Sequence, residues 1–453
     1  MFVENNKLMR RISILLTALF TGAVLNAQEV KPELPSIPDN SVSVLDYGAV
    51  PDGITLNTEA FAKAVAAVGK MGGGRIVVPA GIYLSGNIVL KDCMDLHLEN
   101  GAVLLLSPDK KDSWDGKSIK PFISASKRHD VSVSGSGIID GNGQWWRPVK
   151  RSKVSDVEWK SYLKKGGTVT EDGSLWYPFN LKNYENLGAD YKAQERLRTH
   201  LVRFTDCSKV AVTGVTLQNS PKFHLVPQRC KDVTIDGVTV RCPWNAQNGD
   251  GIDIMQSQNV LITRCTVDVG DDGICLKAGA GAKGLEKGPC KNILIENNTV
   301  FHAHGGFVIG SEFSGGMEDI IVRNCVFSGT DTGLRFKSAP ERGGKCSNIR
   351  ISDIVMTDIK DEAVVFQTDY ADRPAGHDNN QAATTQNFLP DFTDIVIDNV
   401  TCRGCSTAVK AKGPLSQIHG ITIKNSVFFY EDKGLDTDYP KAISLENVKL
   451  KTY

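Results

Sequence analysis

The sequence lacks several features that would assign it to common functional classes. Acidic and basic residues are equal in number, 52 each in 453 residues, so the chain has no basic excess of the kind that marks nucleic-acid binding. Beyond the N-terminal stretch, no apolar run is long enough to cross a bilayer. Aromatic residues make up only 7%, whereas 43 glycines favour turns and close-packed β-structure over helices. We therefore expect a β-rich protein that neither binds nucleic acid nor is anchored in a membrane.

The cysteines show no disulfide framework and no zinc pattern. Their number, eleven, is odd. Many occupy equivalent places in a repeat, where a small apolar side chain that stacks explains them better than disulfide pairing does. Cys402 and Cys405 form one C-x-x-C pair with no second pair, which argues against a structural zinc site. We expect no bound metal and no other cofactor.

The N-terminus has the pattern of a secretory signal peptide over residues 1–27. Three basic residues precede the apolar run from Ile12 to Leu25, and a small residue, Ala27, ends the segment. Such a run is too short to span a bilayer comfortably. The first cysteine is Cys93, so a lipid anchor after the apolar run is not expected. The sequence predicts export to the periplasm or the medium.

Removal of residues 1–27 would change the charge only slightly. The segment carries three basic residues and one acidic residue, so the net charge would fall from zero to −2. We expect residues 28–43 to be a linker and residues 44–453 to form a single domain. We also expect a monomer without a membrane anchor.

A recurring phrase from Val131 onward predicts a parallel β-solenoid. Each copy has two alternating apolar residues, a short polar bend and two more apolar residues, and successive copies start 23 to 46 residues apart. Short strands at irregular spacing without intervening helices are typical of stacked β-coils, and the leucine scaffold of leucine-rich repeats is absent. A helix is predicted only before the repeats, from Thr58 to about Lys70. The copies begin at Val210, Val233, Val260, Ile293, Ile320, Ile349, Ile395 and Ile421.

One long segment, residues 145–198, interrupts this repeat. It is rich in tryptophan, tyrosine, lysine and arginine. A loop of this length in a repeat protein often serves a binding cleft, although a plain surface excursion is the alternative. We expect this insertion to border one end of the site.

Polar clusters occur at equivalent places in four successive copies. Alignment of the second strand of each copy places Asp250 above Asp272 and Asp271 above His304. Since neighbouring coils lie about 4.8 Å apart, these four side chains should meet within roughly 5–10 Å. Arg335 should lie two coils beyond Asp272 on the same face. The clusters are Asn248-Gly249-Asp250-Gly251-Ile252-Asp253, Gly270-Asp271-Asp272-Gly273, His304-Gly305-Gly306 and Arg335-Phe336-Lys337.

The grouping points to acid–base chemistry. Each Asp-Gly pair alone could be simple turn chemistry. Together they predict a row of unpaired carboxylates, which would repel one another and therefore favours a functional role. Hydrolysis of a glycosidic bond needs a proton donor for the leaving oxygen and a base for the attacking water. A basic pair at a fixed distance suits a substrate that carries its own carboxylate, and Arg335 could bind it through two hydrogen bonds.

These motifs resemble those of glycoside hydrolase family 28, the polygalacturonases, from about Val44 to the C-terminus. The family signatures are Asn-Thr-Asp-Gly-x-Asp, Gly-x-Asp-Asp, Gly-His-Gly and Arg-Ile-Lys. All four have counterparts here in the same order, and Asn219-Ser220-Pro221 resembles a further family phrase. Gly249, Ala303 and Phe336 depart from the signatures, each at a position that carries no catalytic side chain.

The resemblance implies a right-handed parallel β-helix that hydrolyses α-linked galacturonic acid in pectin with inversion. Asp271 would be the general acid, while Asp250 and Asp272 would hold and deprotonate the water. His304 would support the acid. Arg335 and Lys337 would bind the uronate carboxylate on the leaving-group side. By the same resemblance, Asn248 and a downstream hydroxyl, for which Tyr370 is the candidate, would bind substrate.

Alternative functions remain open on the sequence. A rhamnogalacturonan hydrolase of the same family is the nearest, although family members of that type tend to lack the histidine and the arginine. A calcium-dependent pectate lyase would use the aspartates as metal ligands and eliminate instead of hydrolysing. A β-helical adhesin or tailspike would bind glycan without cleaving it. The insertion over residues 145–198 favours exo action, because it could close one end of the cleft.

Overall fold

The chain is a right-handed parallel β-helix, as the repeat predicted. The structure is a computed structural model that describes residues 30–187, 194–370 and 388–453. In both large sheets the strands pair in parallel, each with the strand one coil away. The predicted signal peptide, residues 1–27, lies outside the described residues.

Eleven strands form the sheet that carries the polar clusters, which we call the cleft sheet. With strands numbered in chain order, they are β5 (Ile88–Val89), β8 (Ile123–Ser126), β14 (Val202–Thr205), β17 (Leu225–Gln228), β20 (Ile252–Met255), β23 (Asp272–Lys277), β26 (Gly305–Ile309), β28 (Leu334–Lys337), β30 (Glu362–Gln367), β33 (Thr407–Lys412) and β36 (Lys433–Thr437).

The other faces of the β-helix are formed by a sheet of 24 hydrogen-bonded strands. They are β1 (Ser41–Ser43), β2 (Asp52–Leu56), β3 (Gly74–Val78), β4 (Gly81–Ser85), β6 (Met94–Leu98), β7 (Ala102–Leu106), β9 (His129–Gly135), β10 (Ile138–Asp140), β15 (Ser208–Thr213), β16 (Thr216–Gln218), β18 (Lys231–Asp236), β19 (Thr239–Arg241), β21 (Gln258–Thr263), β22 (Thr266–Asp268), β24 (Cys290–Glu296), β25 (Thr299–Val300), β27 (Met317–Ser328), β29 (Lys345–Thr357), β31 (Asp391–Phe392), β32 (Ile395–Arg403), β34 (Ile421–Lys424), β35 (Val427–Tyr430), β37 (Ile443–Glu446) and β38 (Lys449–Thr452).

Helices are few in the described part of the chain. The predicted one, α1, spans Thr58–Lys70 and buries Phe61, Val65 and Val68. The other α-helices are α2 (Asp156–Lys164) and α3 (Gly281–Lys287). Across the described ranges, no helix has both the length and the apolar character to cross a membrane. The 3₁₀ helices are Val44–Tyr47, Lys110–Ser113, Gly143–Trp145, Arg151–Lys153, Leu181–Leu187, Gln194–Leu197 and Pro440–Ala442.

The predicted register is confirmed at every step of the repeat. Val210 pairs with Val233, and the same column continues through each later copy to Ile421. The inward columns of the cleft sheet also match the alignment, since Ile252 lies beside Ile274. These columns fill the interior, and toward the C-terminal coils they include a stack of Phe336 on Phe366 with ring centroids 4.4 Å apart.

The insertion over residues 145–198 contains secondary structure of its own. Val149–Lys150 and Thr168–Val169 (β11 and β12) pair antiparallel with Leu175–Tyr177 (β13), and α2 lies between the first two of these strands. Trp146 is fully buried where the insertion leaves the coils. Lys110, also fully buried, places its ammonium 4.2 Å from the Trp146 ring centroid. These contacts hold the insertion against the β-helix.

The segment before the first coil follows the outside of the β-helix. Residues 28–43 were predicted to be a linker, and residues 30–43 are described. Ser41–Ser43 forms β1 and pairs with β3. The backbone N–H of Ser36 donates to Asp130 at 2.7 Å.

Candidate active site

Every predicted site residue lies around two adjoining cavities on the cleft sheet. The larger one, of about 610 Å³, is lined by seven of them: Asn248, Asp250, Asp271, Asp272, His304, Lys337 and Tyr370. The smaller, of about 230 Å³, adds Arg335 and shares His304 and Tyr370. The sequence therefore predicted correctly that these side chains meet, although their roles stay predictions.

Stacking of the coils places the carboxylates where the alignment put them. The Gly251 N–H donates to the Asp272 carbonyl at 2.9 Å, so Asp250 and Asp272 occupy neighbouring rungs. The His304 N–H donates to the Asp271 carbonyl at 2.8 Å, and the two side chains meet at 3.1 Å between Nδ1 and Oδ1. The predicted columns are confirmed.

The glycines after Asp250 and Asp272 serve close packing instead of turns. A Cβ added to Gly251 would lie 2.5 Å from the Gly273 carbonyl oxygen, and one on Gly273 would lie 2.7 Å from a Val300 methyl. Neither has a positive φ. The Asp-Gly pairs therefore do not reflect tight-turn chemistry, which was the alternative reading. The glycines let the coils approach at the point where the aspartates emerge.

The carboxylates are paired with lysines, so the prediction of a row of unpaired carboxylates was wrong. The Lys337 ammonium donates to both oxygens of Asp272, at 2.8 and 3.1 Å. Lys277, which the sequence reading did not include in the site, lies 2.9 Å from Asp253 Oδ1, 3.4 Å from Asp250 Oδ2 and 4.0 Å from Asp272 Oδ2. Buried lysines offset the repulsion between the acids.

The outward-facing column beside these lysines is buried. Asp253 and Cys275 share this column and point away from the core, yet both are inaccessible to solvent. The reason is the Lys277 side chain, whose ammonium contacts the Cys275 sulfur at 2.9 Å as well as Asp253. A residue can thus point away from the core and still be removed from water.

These surroundings push the acid pKa values in opposite directions. Burial raises the pKa of Asp250 well above its ordinary value, and the charges of Asp253 and Asp271 add to the effect. Burial, opposed by Lys277, raises the pKa of Asp253 to about 6. Burial acts the same way on Asp272, but Lys337, Lys277 and Arg335 outweigh it and hold its pKa low. Asp272 is therefore a stable carboxylate and Asp250 is the acid most disposed to hold a proton.

Asp271 is held as a carboxylate by its histidine. Burial raises its pKa, but the hydrogen bond and electrostatic interaction with His304, together with the charge of Lys337, outweigh burial and lower the pKa. The atoms of Asp271, Asp272 and His304 lie within 4.8 Å of one another, close enough to share a cation. Because the Lys337 ammonium already contacts both Asp272 oxygens, that carboxylate has a cationic partner without a metal.

A buried histidine supports Asp250 from the preceding coil. His224 accepts the Ser220 N–H at Nε2 (3.2 Å), so its Nδ1–H donates to the Asp250 carbonyl at 2.8 Å. Burial lowers the pKa of His224 to about 4, and the ring is therefore neutral. The phrase Asn219-Ser220-Pro221 thus positions the histidine that holds the Asp250 backbone.

The remaining predicted residues border the cavities at their two ends. Arg198, where the insertion ends, donates to the Asn248 side chain at 2.8 Å. Tyr370 presents its ring to cations, with the Lys337 ammonium 5.1 Å and the Arg335 guanidinium 5.5 Å from the ring centroid. The insertion contributes Pro148, Lys150 and Leu175 to the larger cavity, as expected of a segment that borders the site.

Comparisons with known proteins place the chain in a family. The sequence model of glycosyl hydrolases family 28 matches residues 154–434. An exo-poly-alpha-D-galacturonosidase from Dickeya chrysanthemi is 31% identical over 429 residues, which cover 89% of this chain and 68% of that protein. An endo-polygalacturonase from Pectobacterium carotovorum subsp. carotovorum is 25% identical, covering 99% and 96%. The solved exopolygalacturonase of Thermotoga maritima superposes with a TM-score of 0.74 at 27% identity, covering 94% of this chain and 95% of that one.

Proposed function

The chain belongs to glycosyl hydrolase family 28, and on that premise we propose that it is an exo-acting polygalacturonase that inverts the anomeric carbon. One observation carries the proposal: Asp250, Asp271 and Asp272 meet in one cleft that also holds the cations of Arg335 and Lys337. Galacturonate brings a carboxylate that these cations can bind in addition to Asp272, whereas a neutral sugar brings none.

In the proposed reaction a water attacks the anomeric carbon while the glycosidic bond breaks. Asp271 gives its proton to the departing glycosidic oxygen. Asp272, kept ionised by Lys337 and Lys277, takes a proton from the water as the new carbon–oxygen bond forms. Asp250, on the neighbouring rung, orients the water. A direct attack by water requires carboxyl groups far enough apart to hold it and gives inversion.

Asp271 needs a proton that the substrate-free site disfavours. Its pKa is lowered by the His304 hydrogen bond in the free protein. A bound uronate would add a negative charge close to the site and would neutralise Arg335 and Lys337, whose charges stabilise the carboxylates. Both effects raise the pKa of a neighbouring acid. Substrate binding thus favours protonation of the general acid, Asp271.

The insertion supports exo action. Pro148, Lys150 and Leu175 border the larger cavity, and Arg198 ties the end of the insertion to Asn248. We infer from these contacts that the insertion closes one end of the cleft, which would leave room for a chain terminus and not for a continuous polymer. The cation of Lys150 suits an acidic terminal sugar.

The test is a time course of product sizes on polygalacturonic acid and on galacturonate oligomers reduced at one end. Exo action predicts monomer from the first minutes, with the reduced end retained in the shrinking oligomer. A ladder of intermediate oligomers from the polymer contradicts exo action. Comparison with rhamnogalacturonan tests the nearest alternative, since preferential cleavage there would reassign the substrate.

A pectate lyase is a second reading that the same assay separates. It would form unsaturated products and lose activity in chelator. Lys337 already contacts both oxygens of Asp272, where a calcium ion would need free ligands. We expect saturated products and no loss of rate in chelator. Export and a monomeric state stay predictions of the sequence, tested by fractionation of the native cells and by light scattering.

A further inference from the structure

The insertion places a lysine against the histidine of the site. The Lys153 Nζ lies 3.4 Å from Nε2 of His304 and 3.5 Å from the Gly270 carbonyl oxygen. The other ring nitrogen of His304 contacts Asp271 at 3.1 Å. One imidazole therefore separates a residue of the insertion from the proposed general acid.

The segment that carries Lys153 is held in place by its own contacts. The Arg147 guanidinium donates to the Ser220 carbonyl at 2.6 Å, which ties the base of the insertion to the coil below Asp250. The Arg151 N–H donates to the Ser174 carbonyl at 2.9 Å, and its guanidinium donates to the Val154 carbonyl at 2.9 Å. The position of Lys153 is therefore specified by the fold of the insertion.

The contact determines which ring nitrogen carries the hydrogen. An ammonium can only donate, so the Nε2 that faces Lys153 must offer its lone pair. The hydrogen of a neutral ring then lies on Nδ1 and is donated to Asp271. The Asp331 carboxylate lies 3.9 Å from the same Nε2 and favours a hydrogen there. Nε2 of His304 therefore faces both a cation and an anion, which favour different tautomers of the ring.

Other charges act on this arrangement from the surrounding elements. Burial lowers the pKa of Lys153, while Asp271 and Asp331 raise it and Lys150 and Lys360 lower it. Lys360 also lies 3.5 Å from Asp331 and reduces the influence of that carboxylate on the ring. Lys153 lies closer to Nε2 than Asp331 does, and Lys360 partly offsets the charge of Asp331. Lys153 therefore has the stronger effect on Nε2.

We propose that Lys153 is a positioning residue that keeps the ring hydrogen of His304 on Nδ1, directed at Asp271, and thereby sets the pH range in which Asp271 carries its catalytic proton. The proposal rests on the proposed function. The insertion then acts on the chemistry as well as on the length of substrate that fits. A positive charge beside Nε2 disfavours a second proton on the pair, so removing that charge should extend activity to higher pH.

The test compares pH profiles of kcat/KM for four variants on a galacturonate oligomer. Lys153→Met should move the alkaline limb up by about one pH unit, the lower end of the shift that one adjacent charge produces. Lys153→Arg, which keeps the cation, should restore the wild-type limb. Asp331→Asn should move it down. Lys164→Met, a matched change at an exposed lysine of α2, should leave it in place.

Three results would overturn the proposal. The first is a Lys153→Met profile that superposes on the wild type, and the second is a shift in the same direction for Lys153→Met and Asp331→Asn. A loss of kcat with an unchanged profile would indicate a purely structural role and would equally overturn it.

A measurement without substrate separates this proposal from the proposed function. Long-range proton–nitrogen spectra of the imidazole rings, with His304 assigned from His304→Gln, report the tautomer directly. We expect Nδ1–H in the wild type and a mixture with Nε2–H in Lys153→Met. If the wild type hydrolyses no galacturonan, the proposed function fails while these spectra still decide the role of Lys153. If the wild type is active and its spectra are identical to those of Lys153→Met, the Lys153 proposal fails while the proposed function stands.

Discussion

Replacement of Asp253 by asparagine should change how stability depends on pH. Asp253 is completely buried, with the Lys277 ammonium 2.9 Å from its Oδ1, and burial raises the pKa of its carboxyl to about 6 from an ordinary 3.8. Because the folded-state pKa lies above the unfolded one, the carboxyl favours folding at low pH. That contribution is lost as the pH rises from about 4 through about 6.

The size of the effect follows from the pKa difference. A shift from 3.8 to about 6 corresponds to about 3 kcal/mol between the two protonation states. Asparagine does not titrate, so Asp253→Asn should lose this dependence. About 0.6 kcal/mol of this is already lost at pH 4, so the free energy of unfolding of the wild type relative to the variant should fall by about 2.4 kcal/mol between pH 4 and pH 7.

Urea unfolding followed by tryptophan fluorescence measures this difference. Wild type and Asp253→Asn would be compared at pH 4, 5, 6 and 7, with Asp39→Asn as a control at an exposed position. A constant offset between wild type and Asp253→Asn across these pH values would refute the reasoning. So would a wild type that gains stability over the variant as the pH rises, since Asp253 would then be ionised and stabilising.

Two further predictions concern substrate. Arg335→Ala should raise KM for galacturonate oligomers by about 10- to 100-fold, the cost of one charge-assisted hydrogen-bonded contact, and should affect methyl-esterified oligomers less; an equal loss on both substrates would contradict the role of Arg335 in carboxylate binding. The alkaline limb of kcat should lie at higher pH than that of kcat/KM. The reason is that bound uronate raises the pKa of Asp271, which His304 lowers in the free enzyme. Coincident limbs would show that substrate binding does not raise the pKa of Asp271.

The fold was predictable because its signal is local and repeated. Alternating apolar residues give the inward columns of each strand, and one matched position per copy sets the register of a whole coil. Val210 and its seven successors therefore align in the structure as they do in the sequence. The columns of Asp250 with Asp272 and of Asp271 with His304 follow from the same register.

The electrostatics of the site were not predictable in the same way. Lys277 lies on a cleft-facing position of β23, but its flexible stem reaches Asp253 and Asp250 on the neighbouring coil. Spacing along the chain does not say where a long, rotatable side chain ends. The carboxylates consequently looked unpaired in the sequence.

The sequence predicted where the insertion lies but not its contact with His304, for a related reason. Its composition indicated a segment that borders the site, whereas the contact of Lys153 with His304 depends on tertiary packing around Trp146 and Arg147. The two residues are separated by 151 positions and belong to no common repeat. Register arguments do not apply to a segment outside the coils.

The central claim is that stacking of successive coils assembles one catalytic centre with Asp271 as its acid. Its most direct test measures galacturonate release and oligomer binding for Asp271→Asn, with Asp268→Asn, an exposed change on the preceding strand, as control. We predict that release falls by about 10²- to 10⁴-fold in Asp271→Asn, the usual contribution of a general acid, while the Kd stays near that of the wild type. Release within tenfold of the wild type would contradict the claim.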